Sequence, residues 1–254
     1  MQFQTLRIDT EGPVGRIVLT RPDRMNALDA VALAELADAA EILDGHDEVR
    51  AVVVTGEGRS FCAGFDLSTW PDEPDRAEAS RLGDLGAAMS EAITRMRAVT
   101  VAALHGWVVG GGVVLALACD LRVAADGTRF SIPEVDLGIP LAWFGVPLLV
   151  REVGPAVAKE LVITCRPFDA SEALRLGMLN RVVPPDVLLQ TVEELAQVVA
   201  GKPRVAVEVT KRHVNRATFT DHDPGSDGLV AALSDPEALA AARRYLERMN
   251  PSPS

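Results

Sequence analysis

The chain has 254 residues, 48% of them hydrophobic and only 4% aromatic, with a formal net charge of −11. That length suits one large domain or two smaller ones, and the acidic balance argues against a general affinity for nucleic acid or anionic lipid. No apolar run approaches the ~20 residues of a membrane span, Met1-Gln2-Phe3-Gln4-Thr5 lacks the basic start of a signal peptide, and Cys62, Cys119 and Cys165 lie far apart. A cytoplasmic protein with reduced thiols is expected.

Residues 5–9 and 16–20 read as strands of a hairpin, joined at Gly12-Pro13-Val14-Gly15. Asp29 is placed to cap a helix in which Leu33, Leu36, Ala40 and Leu43 recur at helical spacing. The β-branched run 49–55 is short enough for a strand buried on both faces. Small residues in Ser60-Phe61-Cys62-Ala63-Gly64-Phe65-Asp66-Leu67 mark a strand-to-helix transition, and the polar, Pro-rich stretch 68–79 reads as a mobile surface loop. A helix over 81–96 and a strand over 99–104 lead to His105-Gly106-Trp107-Val108-Val109-Gly110-Gly111-Gly112-Val113-Val114.

That stretch reads as a tight turn opening a buried helix. Glycine lets a ligand approach the main chain, and N–H groups at a helix start favour negative charge, a phosphate or an oxyanion developing on a carbonyl. Further on, 120–125 and 128–131 read as extended, and 146–153, 156–164 and 170–176 as helices. Beyond 183 the pattern is helical, with a polar break at His222-Asp223-Pro224-Gly225. The alternation argues for α/β layers with both glycine-rich turns at strand C-termini, where open α/β folds place ligands.

Six motifs in order then carry a resemblance. They are Arg21-Pro22-Asp23-Arg24-Met25-Asn26-Ala27-Leu28, Phe61-Cys62-Ala63-Gly64-Phe65-Asp66-Leu67, and Ala103-Leu104-His105-Gly106 with the glycine triplet. Cys119-Asp120-Leu121-Arg122, Pro133-Glu134-Val135-Asp136-Leu137-Gly138, and Ala170-Ser171-Glu172-Ala173-Leu174 with Gly177-Met178-Leu179-Asn180 complete them. Over nearly its whole length the chain resembles the crotonase superfamily, the enoyl-CoA hydratase/isomerase proteins.

The resemblance implies an α/β, crotonase-like spiral of ββα units over residues 1–195. A C-terminal α-helical trimerisation region over 196–254 and a homotrimer or dimer of trimers follow from it too. It implies an acyl-CoA thioester as substrate, with no cofactor beyond the coenzyme A that the substrate carries. No nucleic-acid or membrane partner is expected, and no His/Cys/Asp cluster has metal spacing. By motif match, the backbone N–H groups of Phe65 and Gly111 form an oxyanion hole for a thioester enolate. Main-chain donors on rigid turns suit that task, since they favour the charged transition state without rotamer ordering. Ala63, Gly64, Gly110, Arg24 and Trp143 are the substrate-binding candidates. Ala63 offers its backbone to the adenine, and Arg24, Lys211 or Arg212 either meet the CoA phosphates or lie on solvated faces.

Family members that hydrate a double bond use two glutamates, and both positions can be read here. The second is Glu134; the first is Val114, which cannot carry a proton. Hydration needs water activated at one carbon and a proton delivered at the next, whereas double-bond migration needs one carboxylate to move a proton. Apolar neighbours Ile132, Val135 and Leu137 allow Glu134 the burial that raises a carboxylate pKa. Asp136, two residues along an extended strand, would face the same way ~6–7 Å further on, with a surface role as its alternative.

Asp66 and Glu152 read as structural carboxylates, and His105 as a packed histidine. Where hydratase-like members continue with a Pro-Gly-Ala-Gly-Gly type turn, this chain has Pro140-Leu141-Ala142-Trp143-Phe144. The two rings either narrow and dry the site or serve as core or subunit contacts. Isomerase-like enolate chemistry on Glu134 is therefore expected over hydration. A hydratase using another carboxylate, or a non-catalytic acyl-CoA-binding protein, are the alternatives.

Overall fold

In the computed structural model, residues 3–69, 76–218 and 236–249 are described. A six-stranded sheet forms the spine: β1 (Leu6–Asp9), β2 (Val14–Leu19), β3 (Ala51–Gly56), β4 (Val99–Leu104), β6 (Leu121–Ala125) and β9 (Arg181–Val183), in that spatial order. The β1–β2 pair is the antiparallel hairpin expected, and every later pairing in this sheet is parallel. A second sheet joins β5 (Trp107–Val109), β7 (Arg129–Ser131) and β8 (Phe168–Asp169).

Side chains alternate faces along a strand, and the main sheet divides its residues accordingly. Ala51, Val53, Val101, Ala103, Val123 and Ala125 pack with Leu188, Val192 and Ala196 of α6 (Leu188–Ala200) on one side. Their neighbours Val52, Val54, Ala102 and Leu104 join the larger core with α1 (Ala30–Gly45) and α3 (Gly111–Ala118). β3 is thus buried on both faces, as its composition predicts. Asp29 caps α1, its carboxylate accepting from Ala32 N at 2.9 Å. α3 is buried at every position.

Several expectations shift. The glycine turn does not run straight from β4 into a helix: three residues, Trp107–Val109, form β5, which pairs in parallel with β7. The helix expected over 81–96 begins earlier, as α2 (Arg76–Arg95). Residues 70–75 of the expected loop and the polar break at 222–225 lie outside the described residues. The helices expected over 146–153 and 156–164 are both present, as the two halves of α4 (Gly145–Thr164) on either side of Gly154, which leaves helical geometry just before Pro155.

After β8 come α5 (Ala170–Arg175), β9, α6, α7 (Arg204–Thr218) and α8 (Pro236–Met249). The expected boundary after residue 195 falls inside α6, whose buried side chains belong to the sheet. Among the described residues no helix is long and apolar enough to cross a membrane.

The largest correction concerns the segment carrying Glu134. It is a tight turn, not an extended strand: Leu137 N donates to Pro133 O and Glu134 O, Gly138 N to Val135 O, and Ile139 N to Glu134 O. The turn sends Glu134 inward and leaves Asp136 exposed. Their side chains do not share a face.

Candidate active site

Four segments converge on a cavity of about 660 Å³. The first, Arg21 to Leu28, is scaffold. Asn26 holds φ = +56° with 1% exposure, and its amide donates to the carbonyls of Glu57, Ser60 and Phe61 at 2.9–3.2 Å. Asn tolerates the left-handed region better than most residues and bonds the backbone as it does so. Arg21 bonds Asp66 at 2.8 Å and Asp29 at 3.0 Å. Leu28 and Asp66 then tie the first segment to the second: Leu28 N donates to Gly64 O at 2.7 Å and Asp66 N to Leu28 O at 2.9 Å.

The second and third segments are stitched edge to edge. Cys62 N donates to Trp107 O at 3.3 Å and Val109 N to Cys62 O at 3.0 Å, a parallel bridge between Cys62 and Val108. Gly64 continues the contact with φ = +84°, and a side-chain carbon there would lie 2.6 Å from Val109 O and 3.2 Å from Gly111 N. Only glycine fits both demands. The close approach brings Phe65 and Gly111 to one cavity wall. As first residue of α3, Gly111 has an N–H with no carbonyl partner inside its own helix.

Glu134, in the fourth segment, is 9% exposed and lines the cavity. Gly110 makes room for it: a side-chain carbon on Gly110, itself at φ = +48°, would come within 2.4 Å of Glu134 Oε1. Oε2 is buried with no protein partner. Burial without a compensating charge pushes the carboxyl up to about 7. Among the described residues, two other carboxylates line the cavity, Asp23 and Asp66. Asp23 is exposed. Asp66 is buried, which alone would raise its pKa, but hydrogen bonds from Ser68 and Arg21 hold it below its ordinary value. Glu134 is the inward, unpaired acid.

Val114 sits one turn into α3, 1% exposed, lines the same cavity, and meets the start of α4 at Gly145. Trp143 is 7% exposed and packs edge-on to Phe65, ring centroids 6.4 Å apart at 66°. Both readings of this ring hold together, since it is core and cavity wall at once. Trp143 and Phe144 have φ of +58° and +61°, the left-handed region that favours glycine.

The remaining candidates separate. Ala63, Gly64, Gly110 and Arg24 all line the cavity. Arg24 is exposed, its guanidinium 3.3 Å from Asp66 and 2.6 Å from Ser68 Oγ. Lys211 lies elsewhere, 2.6 Å from Asp120 and bonded to Ala98 O, and Arg212 is exposed on α7. His105 is packed, 3.1 Å from Gly58 O, and burial lowers its pKa. Glu152 is structural, 2.8 Å from Arg122. Sequence reasoning missed the rim residue Trp107, 44% exposed, and the α2 side of the cavity, Ala79 and Leu82. Glycines inside α2, at Gly83 and Gly86, were the available signal, because glycine in a helix interior costs about 1 kcal/mol and needs a packing reason.

Sheet order, paired glycine loops and this cavity define a crotonase-fold protein, and the comparisons agree. The sequence model of the enoyl-CoA hydratase/isomerase family matches residues 9–248. The short-chain-enoyl-CoA hydratase of Clostridium acetobutylicum is 35% identical over 253 residues, covering 98% of this chain and 97% of its own. Among solved structures, an enoyl-CoA hydratase from Mycobacterium avium subsp. paratuberculosis superposes with a TM-score of 0.87 at 27% identity, over 96% of this chain and 99% of that one. A monofunctional enoyl-CoA isomerase from Mycobacterium smegmatis superposes at 0.72 with 31% identity, over 88% and 98%. The chain belongs to the enoyl-CoA hydratase/isomerase family of the crotonase superfamily.

Proposed function

We propose that this enzyme moves a double bond in an enoyl-CoA thioester, using Glu134 as its only acid–base group, and does not add water. The carrying observation is the cavity's acid inventory among the described residues: Glu134 is buried with Oε2 unpartnered, and Val114 lines the same cavity where hydration would call for a second carboxylate. In the forward direction, ionised Glu134 removes a proton from C2 of a 3-enoyl thioester. The C–H electron pair delocalises into the thioester carbonyl, giving a dienolate. The backbone N–H groups of Phe65 and Gly111 donate to the oxyanion, a preorganised stabilisation worth roughly 3 kcal/mol of barrier per donor. Protonated Glu134 then returns the proton at C4, and the double bond comes to rest between C2 and C3. No atom is gained or lost.

An apolar cavity favours this chemistry over its rival. Desolvation has already brought the base near neutrality, where proton transfer in both directions is balanced. Trp143 and Phe65 pack together on the wall of the cavity that holds the acid, and Asp136, the candidate for a second carboxylate, is exposed and not among the residues lining the cavity. Arg24, Ala63, Gly64 and Gly110 would hold the coenzyme A arm, with Arg24 at the rim for phosphate. Exposed Leu189, Val198, Val205 and Val214 on α6 and α7 support association of copies as a homotrimer or dimer of trimers.

The test is turnover of a 3-enoyl-CoA, followed by growth of the conjugated thioester absorbance, in wild type and Glu134→Gln. Wild type converts it and the variant loses about 10²–10⁴-fold in rate. Equal turnover in both would remove Glu134 from the mechanism. Acyl-CoA binding without turnover of either enoyl isomer, unchanged in Glu134→Gln, would leave a binding protein.

A further inference from the structure

The cavity lining is of two kinds: Asp23, Arg24, Ser68 and Trp107 are exposed, while Val114, Leu137, Leu141 and Trp143 are buried. A coenzyme A thioester carries its phosphates on one side of the reacting carbonyl and its hydrocarbon on the other. Charge stays with water and hydrocarbon leaves it, so the acyl chain points toward Trp143.

Trp143 is seated by a built fit. A side-chain carbon on Gly86 of α2 would lie 2.2 Å from indole Cγ, Cδ1 and Cδ2, and one on Gly111 would lie 2.3 Å from Cζ3. The ring thus fills the gap between the backbones of α2 and α3, with Phe65 at its edge. Behind it is helix backbone, so it cannot retreat without moving α2. The main chain that places it is strained: two consecutive non-glycine residues, Trp143 and Phe144, sit at φ of +58° and +61°. Conformations of that kind cost about 1–3 kcal/mol each and persist where surrounding structure over-determines them, commonly at ligand sites.

We propose that Trp143, seated on Gly86, is the specificity-determining residue that ends the acyl pocket and confines this enzyme to short-chain acyl thioesters. The proposal rests on the reading that the thioester lies among Phe65, Gly111 and Glu134. A longer chain must displace the indole, which the Gly86 notch blocks. Removing the indole joins its volume, between α2 and α3, to the acyl pocket.

The test is equilibrium binding of saturated acyl-CoAs of increasing length, butanoyl to dodecanoyl, to wild type, Trp143→Ala and Trp143→Leu. Saturated thioesters need no turnover, so failure of the isomerase reading leaves this test intact, and the reverse holds too. Wild type binds the short chains best and loses affinity as methylenes are added. Trp143→Ala gains about three- to fourfold per added methylene until the new space is full, as burial of each CH₂ predicts. Trp143→Leu shifts the optimum part of the way and carries the test alone if the alanine variant does not fold. One chain-length profile shared by wild type and the folded variants would overturn the proposal. So would a wild type that gains affinity up to the longest chain.

Discussion

In the proposed mechanism Glu134 sets the chemistry, and its burial works against stability. Its carboxyl is pushed from an ordinary 4.5 to about 7 by burial. In the unfolded chain the group ionises near 4.5; in the fold it keeps its proton until about 7. The native state therefore binds more protons across that window, and stability falls as pH rises through it. At pH 8 the full penalty, about 3 kcal/mol, is present. Glu134→Gln should raise the unfolding temperature at pH 8 and lose most of that advantage at pH 5, by calorimetry at both values. A base must be ionised to act, so kcat/KM should climb with pH and level off above about 7, reporting the free enzyme. Gly110→Ala should combine two injuries, a collision with Glu134 Oε1 and a left-handed backbone; both activity and unfolding temperature should drop.

Between elements, the fit of α2, α3 and the 140–145 turn turns on Gly86 and Trp143. Helix propensity alone predicts that Gly86→Ala stabilises α2 by about 1 kcal/mol. The notch predicts the opposite, since overpacking costs about 1–3 kcal/mol. Denaturant unfolding should show net destabilisation in wild type and a reversed sign in a Trp143→Ala background. The elements also show where local pattern was informative. Asp29 announced the start of α1, and the pattern separated the two halves of α4 at Gly154-Pro155, because caps and breakers act through neighbouring residues. β5 was hidden: three residues between glycines become a strand only by pairing with β7 and bridging to Cys62. The Glu134 turn was hidden too, since Ile132-Pro133-Glu134-Val135 alternates like a strand until its hydrogen bonds are seen.

Across the whole molecule, two layers of core lie on either side of one mostly parallel sheet. Arg122 is 3% exposed and donates to Met178 O, Cys119 O and Glu152, locking β6 to α3, to α4 and to the loop before β9. Burial lowers its pKa, and Glu152 opposes that shift. Glu152→Leu leaves a buried guanidinium with its main counter-charge gone, so unfolding free energy should fall by about 3 kcal/mol while the acyl-CoA chain-length profile stays unchanged. The family pattern in the sequence placed the glycine loops and Glu134 together correctly, because those motifs exist to bring backbone segments into contact. It could not show that Asp136 turns outward or that Asp66 is already engaged, since both depend on three-dimensional partners.

The central claim is that, among the described residues, Glu134 is the one inward carboxylate without an ion-pair partner where hydration needs two. Crotonyl-CoA mixed with the purified wild-type enzyme tests it most directly, by the absorbance of the conjugated thioester. The structure predicts that the absorbance persists at enzyme concentrations that convert a 3-enoyl-CoA; its disappearance at a rate equal to or above that conversion would contradict the claim.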